Sequence, residues 1–311
     1  MLRDVLVEKG VLPLTFDMRL GGDSLPLMSL DASHARWNGH DFADVAALYI
    51  RCTTPNTLPA PPAALDALSY SEYRSDFLRE QGYSAATRSF FSALAAAGRL
   101  VINELSTYDD HDTKAQFYEK LRAQQYPVPE TLTTNDPSRA SAFIARHAEV
   151  VMKPSVGVGS TRLFTAADRG RLEELRLCPV MMQERIRGDT LRINVVGDTV
   201  VLALRIVGSG DTVDSRTAPR GFEFVRLPDE AAARIVRANR ALGLHYSAWD
   251  IIEAEDGRYV YLDCNPGPYI LWTGPDFSRA VMAQLAQYMI GYAESGSVEQ
   301  AAARVRPYAP R

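Results

Sequence analysis

Residues 246–268, YSAWDIIEAEDGRYVYLDCNPGP, decide how the rest of the chain is read. Two β-type runs, 247–252 and 259–263, flank the turn-forming Glu255-Asp256-Gly257. In the second run Tyr259, Tyr261 and Asp263 alternate with Val260, Leu262 and Cys264, the period of a half-buried strand. Asp250 lies in the first run, and Asp263 and Asn265 end the second. Paired as a hairpin, the runs bring three oxygen-bearing side chains toward one face. Carboxylates and an amide are hard donors of the kind that hold magnesium together with substrate phosphates. Asp263 and Asn265 would equally serve to end a strand ahead of Pro266, and the stretch alone leaves both readings open.

A second stretch bears on the first. Lys153 ends an apolar run, 150–153, directly before PSVGVGSTR. Gly157 and Gly159 allow backbone amides to approach a phosphate, and Ser160 closes the loop. The order is not that of a Walker loop, and a strand rather than a helix follows; an ordinary glycine turn is the competing reading. Lysine occurs only at positions 9, 114, 120 and 153, in a chain rich in arginine. Arginine and lysine are not interchangeable at a site, so a scarce lysine beside a glycine loop points to phosphate. Lys114, in HDTK at the start of a helix, would by itself be a solvated residue, and Lys9 and Lys120 read as surface lysines. His34, His40, His111, His147 and His245 show no metal spacing and no triad, and read as structural or exposed.

Composition narrows the class. The chain has 311 residues, 46% hydrophobic, with a formal charge of −4, so it holds two or three packed units and no broad basic surface for nucleic acid. Cys52, Cys178 and Cys264 are far apart and fit reduced thiols. No apolar run approaches a membrane span, and the N-terminal MLRDVLVEKG carries charge where a signal peptide is apolar; a cytoplasmic location is expected.

Read in order, residues 1–104 suggest an α/β unit: a helix over 2–9, apolar runs at 11–18, 25–30 and 45–51, a proline-rich loop at 55–62, a helix over 64–97 broken near Gly82, and a strand at 99–103. Residues 105–183 suggest a second unit, α+β. Its helix over 110–125 is capped by Asp109 or Asp110, and strands near 130–134, 150–153, 162–165 and 180–183 alternate with helices over 137–147 and 167–175. Residues 184–311 form a third. Gly197-Asp198 joins strands 190–196 and 199–207, the polar stretch 208–220 is a candidate lid, and helices over 229–242, 277–294 and 298–304 surround the 247–263 hairpin.

The order of these segments resembles the ATP-grasp superfamily, in the branch of RimK-like ligases. The resemblance spans about residues 100–295 and rests on VINELSTYDDHDTK (101–114), PVPETLTTNDP (127–137), VVMKPSVGVGS (150–160), PVMMQERIRGDTLRINVVGD (179–198) and the terminal DCNPGP (263–268). Finer matches, LYIRCTTP (48–55), TLTTNDP (131–137), DSR (214–216) and NPGPYILW (265–272), resemble the microviridin-type graspetide maturases, which modify ribosomal peptides.

The resemblance implies an N-terminal Rossmann-like pre-ATP-grasp domain (1–104) and two α+β lobes (105–183 and 184–311) gripping ATP. It implies Lys114 and Lys153 on the phosphates, Gln183 and Glu184 at the adenine edge, and Asp189 or Thr190 near the ribose. Arg192, Arg205 and Arg216 would face phosphate or the activated carboxylate, and Asp250, Asp263 and Asn265 would hold Mg2+. Two departures stand out: the family usually has glutamate where Asp263 stands, and an opening strand is not evident. The implied reaction is ATP-dependent joining of a carboxylate to an amine or hydroxyl through an acyl phosphate, with a precursor peptide as substrate and a homodimer as the assembly. A RimK-like ligase acting on a small acid or a protein C-terminus, and a nucleotide-binding partner protein without catalysis, are the alternatives.

Overall fold

A computed structural model of the chain describes residues 1–15, 27–31, 34–51, 67–155, 160–208, 213 and 221–310. Helix α1 (Leu2–Glu8) opens the chain and buries Val5 and Leu6. The apolar run 11–18 forms no strand over 11–15, and the rest of that run lies outside the described residues. Of the run 25–30, β1 (Met28–Leu30) is strand; it pairs antiparallel with β2 (Ala35–Trp37), which pairs with β3 (His40–Asp41). Strands β4 (Ala47–Tyr49) and β5 (Leu100–Ile102) run parallel, and parallel neighbours need a crossover, here α2 (Ala67–Ala96). Helix α2 runs unbroken through Gly82, correcting the expected break. A glycine in a helix costs only about 1 kcal/mol relative to alanine.

The helix expected over 110–125 is two helices, α3 (Thr107–Asp112) and α4 (Lys114–Ala123). Neither Asp109 nor Asp110 is a cap. Thr113 leaves helical geometry at φ −106° and ψ 74°, and both its N–H and its hydroxyl donate to the Asp109 carbonyl. Asp110 lies inside α3, where it receives Lys120 at 2.7 Å and Gln116 at 3.1 Å. The break makes Lys114 the first residue of a new helix.

Strand β6 (Thr131–Thr134) leads to α5 (Pro137–Arg146), capped by the Asp136 carboxylate with proline in its first turn. Then follow β7 (Val150–Pro154), β8 (Arg162–Leu163), the short α6 (Ala166–Arg169) and β9 (Val180–Glu184). The helix expected over 167–175 is instead α6 and a 3-10 turn, Leu172–Leu177. These strands form an antiparallel sheet in the order β6-β9-β7-β8.

A larger antiparallel sheet follows. Strands β10 (Gly188–Val196) and β11 (Thr199–Val207) are joined at Gly197, whose φ of 53° suits glycine in a tight turn. After β12 (Gly221–Phe224) and α7 (Asp229–Ala241) come β13 (Tyr246–Ala254) and β14 (Tyr259–Asn265), in the order β12-β11-β10-β13-β14. Helices α8 (Pro275–Ser295) and α9 (Val298–Ala302) follow. Alternation along the strands builds two cores. Leu191, Ile193, Val195, Trp249, Ile251 and Tyr261 pack with Phe117 of α4 and Ile235 of α7. Val196, Leu202, Leu204 and Tyr246 pack on the other face with Val281 and Leu285 of α8 and Val5 of α1. Each such fully buried large side chain contributes about 1.5–3 kcal/mol. The candidate lid at 208–220, apart from residues 208 and 213, lies outside the described residues.

Candidate active site

The β13–β14 hairpin sets Asp250 directly opposite Asp263, and Ala248 opposite Asn265. The register shifts between Asp250 and Ile251, so Leu262 is an extra residue on β14. Such a bulge re-aims the residues beside it. It also turns out the Leu262 carbonyl, which accepts the Tyr118 hydroxyl at 2.6 Å. Asp250, Asp263 and Asn265 thereby share one face of the sheet.

Each carboxylate meets a cation. Lys114, its side chain only 6% exposed, donates to Asp263. His111 lies beside the pair: its Nδ1 is 3.3 Å from Lys114 Nζ, 3.8 Å from Asp263 Oδ1 and 3.2 Å from the Cys264 carbonyl. Burial pushes the Asp263 pKa up, but the Lys114 charge leads the neighbouring cations in overcoming it and holds the group at about 2. Burial first, and then Lys114, holds His111 below its ordinary value, so it is neutral at neutral pH. On the facing strand, Arg192 Nη1 donates to Asp250 at 2.8 Å, and the guanidinium lies 5.8 Å from the Trp272 ring centroid.

The other lysine arrives from the four-stranded sheet. Lys153, near the end of β7, donates to the Tyr118 hydroxyl at 2.8 Å. Tyr118 therefore connects Lys153 to β14 and links the two sheets. Burial first, then the Asp263 charge, raises its phenol pKa, while a hydrogen bond with Gln183 and the Lys114 charge oppose them. Asp263, Gln183, Lys114 and Lys153 all act on the Tyr118 hydroxyl. Gln183, buried on β9, also donates to Thr131 at 2.8 Å, and the Glu184 carboxylate accepts the Glu130 N–H at 2.8 Å. Tyr118 was not singled out in the sequence, and His111 was read as structural or exposed. Both stand at helical spacing from Lys114, four residues after and three before, and that spacing is the signal that could have found them.

Not every expected site residue joins this group. Arg205 pairs with Leu191, so it leaves the sheet on the face opposite Arg192. There it forms ion pairs with Asp189 and Glu253, each at 2.9 Å. Arg192 and Arg205, both expected to face phosphate or the activated carboxylate, thus stand on opposite faces of the sheet. The cause is the period of two along β10 and β11, and Asp189 lies with Arg205. Ser160 is exposed. Gly157, Gly159 and Arg216 lie outside the described residues.

The donor set fits magnesium. Asp263 is ionised at neutral pH, Asp250 faces it across one strand pair, and the Asn265 amide stands two residues on. Among the described residues no group of three or more His, Cys, Asp and Glu side chains could hold a metal. Two carboxylates and an amide suit a cation whose remaining ligands are water and phosphate oxygens. No helix among the described residues is long and apolar enough to cross a membrane.

Residues 111–218 match the family described as ATP-grasp domain. The tetrahydromethanopterin:alpha-L-glutamate ligase of Methanocaldococcus jannaschii is 25% identical over 189 residues, which is 56% of this chain and 65% of that protein. The chain thus spans just under two thirds of that relative's length. The solved structure of the ATP-grasp ligase PsnB, complexed with minimal precursor, Mg and ADP, superposes with a TM-score of 0.79 at 28% identity, covering 94% of this chain and 92% of that one. The macrocyclase MdnC of Microcystis aeruginosa MRC, bound with the precursor peptide MdnA, superposes with a TM-score of 0.69 at 19% identity over 93% of this chain and 94% of that one, a likeness of fold. The chain is similar to the ATP-grasp family over residues 111–218. Its fold is the ATP-grasp fold, and its structural neighbours are the precursor-peptide ligases of which PsnB is an example.

Proposed function

We propose that this chain is an ATP-dependent ligase that activates a carboxylate as an acyl phosphate and joins it to an amine or hydroxyl within a ribosomal precursor peptide. The observation that carries the reading is the meeting of Lys114–Asp263, Arg192–Asp250 and Lys153–Tyr118 where the two sheets join. Likeness to PsnB over nearly the full length supports the peptide substrate. The nucleotide would lie between the lobes 105–183 and 184–311.

In this reading the chemistry is positioning and charge neutralisation. The substrate carboxylate attacks the γ-phosphorus and ADP leaves. The acceptor then displaces phosphate and loses its proton to give an amide or ester. Lys153 and Lys114 neutralise phosphate oxygens, and the phosphates take the place of Asp263 beside Lys114. Gln183 and Glu184 present the end of β9 to the adenine edge. Arg192, fixed on Asp250 and under Trp272, faces the carboxylate being activated. Asp250, Asp263 and Asn265 would hold magnesium, which would supply charge neutralisation for the phosphates. Asp263 carries one methylene less than the glutamate usual in this family, yet it is ionised and faces Asp250, which supports a metal role.

A second reading, ligation of an amino acid to a small acid, is supported by likeness to the glutamate ligase over 56% of the chain. Incubation with ATP, magnesium and peptides carrying acidic and Ser/Thr/Lys side chains tests the first. ADP release with loss of one water mass from the peptide is expected. ADP release only with free amino acid and a small acid would favour the second reading, and no ADP release with either would contradict both.

A further inference from the structure

Among the described residues three asparagines have no exposure at all: Asn103, Asn194 and Asn239. Two of them have both the amide nitrogen and the oxygen bonded. Asn103 donates to the Tyr246 and Pro266 carbonyls, both at 2.6 Å, and accepts the His245 and Tyr246 N–H groups at 2.7 and 3.2 Å. Asn239 donates to the Leu244 carbonyl at 2.7 Å and accepts from the Ser247 hydroxyl and from Trp249 Nε1. Asn194 has neither its amide nitrogen nor its oxygen bonded. A side-chain amide offers two donors and an acceptor oxygen. Burying all of them without partners is rare enough to need a cause.

The surroundings supply one. Asn194 stands on β10 between Leu202 and Ala248, on the face that carries Arg192 two residues earlier. Tyr246 is on the neighbouring strand, opposite Val196 and so diagonal to Asn194. Arg192 Nε and the Tyr246 hydroxyl are likewise buried without partners. Burial first, and then Tyr49, holds the Tyr246 phenol well above its ordinary pKa, and Arg192 opposes them, which puts the guanidinium within electrostatic reach. Directly across from Asn194 the residue is Ala248, which has no polar side-chain group to bond it. Asn194 and Tyr246, each 0% exposed, do not reach substrate themselves.

We propose that Asn194 and Tyr246 are positioning residues for Arg192, acting through ordered water held among Asn194, the Tyr246 hydroxyl and Arg192 Nε. Such a water accepts from Arg192 Nε–H and Asn194 Nδ2–H and donates to Asn194 Oδ1 and the Tyr246 oxygen, the usual complement of a buried water. The guanidinium is then held at both ends, on Asp250 and on the water, with its plane fixed under Trp272. The positioning role rests on the reading of Arg192 as part of the reaction site; the water itself does not.

A crystal structure of the full chain at a resolution that shows waters tests the first half. Density within hydrogen-bond distance of Asn194 and of Arg192 Nε or the Tyr246 hydroxyl is expected. A dry pocket, or an Asn194 amide bonded directly to protein, overturns the proposal. Steady-state ADP release by Asn194→Leu and Tyr246→Phe tests the second half. We expect kcat to fall about tenfold in each, as for other groups that orient a ligand from behind, with KM for ATP and the unfolding midpoint held. Wild-type kcat in both variants overturns the positioning role and leaves the ligase reading standing. A wild-type chain inert toward ATP would sink the ligase reading without touching the density result.

Discussion

The two faces of the β12-β11-β10-β13-β14 sheet are made from alternate residues of the same strands, yet they are built differently. The core under α4 and α7 is apolar, with the Arg205, Asp189 and Glu253 cluster at its more exposed end, and Asn239 of α7 has both its amide nitrogen and its oxygen bonded. The face under α8 begins as an apolar core but gives way toward one end to Arg192, Asp250, Asp263 and the unbonded Asn194. Unsatisfied polar groups and ion pairs at the edge of a core cost stability and are kept where they serve a ligand. Residues adjacent in sequence therefore belong to different tasks, and the two arginines that look alike in the sequence are separated by the sheet itself.

That contrast can be broken by experiment, most forcefully at the arginines. Arg192→Ala removes the buried Arg192–Asp250 pair and should destabilise the fold by about 3 kcal/mol. Arg205→Ala, which removes a half-exposed pair, should cost about 1 kcal/mol or less. Urea midpoints measure both, and equal shifts would erase the distinction between the faces. Next, Asp250→Asn should cut ADP release about 100-fold; unchanged turnover would remove the carboxylate face from the chemistry.

The Lys114–Asp263 pair sets a pH dependence. The folded carboxyl is depressed to about 2 from an ordinary 3.8, so its contribution is present above the unfolded value and is lost as pH falls through the folded one. Thermal melts should show Lys114→Met less stable than wild type at neutral pH, with the gap closing between about pH 4 and about pH 2. A gap that does not change with pH would deny the coupling. Smallest of these, Tyr118→Phe frees Lys153 and Leu262 from each other and should raise KM for ATP several-fold, for a loss of about 1 kcal/mol; an unaltered KM would leave the link between the sheets without a binding role.

Much of this was legible in the sequence, for definite reasons. Alternation and turn residues located β10, β11, β13 and β14, because a period of two and glycine turns are local properties. The scarce Lys153 beside its glycine loop pointed to phosphate, whereas Lys114 read as a solvated residue until the resemblance gave it a role. What stayed hidden is long-range. Tyr118 reads as one more aromatic in a helix until its hydroxyl is seen between Lys153 and Leu262. His111 reads as an isolated histidine until Lys114 and Asp263 are placed beside it. The break at Thr113 rests on bonds back to Asp109 that propensity does not reveal. The side of the sheet taken by Arg205 depended on a pairing register, which the run 199–207 does not specify alone.

The central claim is that one nucleotide–magnesium site is reached from both sheets, and calorimetric titration with magnesium and a non-hydrolysable ATP analogue tests it most directly. Lys153→Ala, from the four-stranded sheet, and Asp250→Asn, from the five-stranded one, should each weaken binding about tenfold or more while melting as folded proteins. Wild-type affinity in either variant would contradict the account.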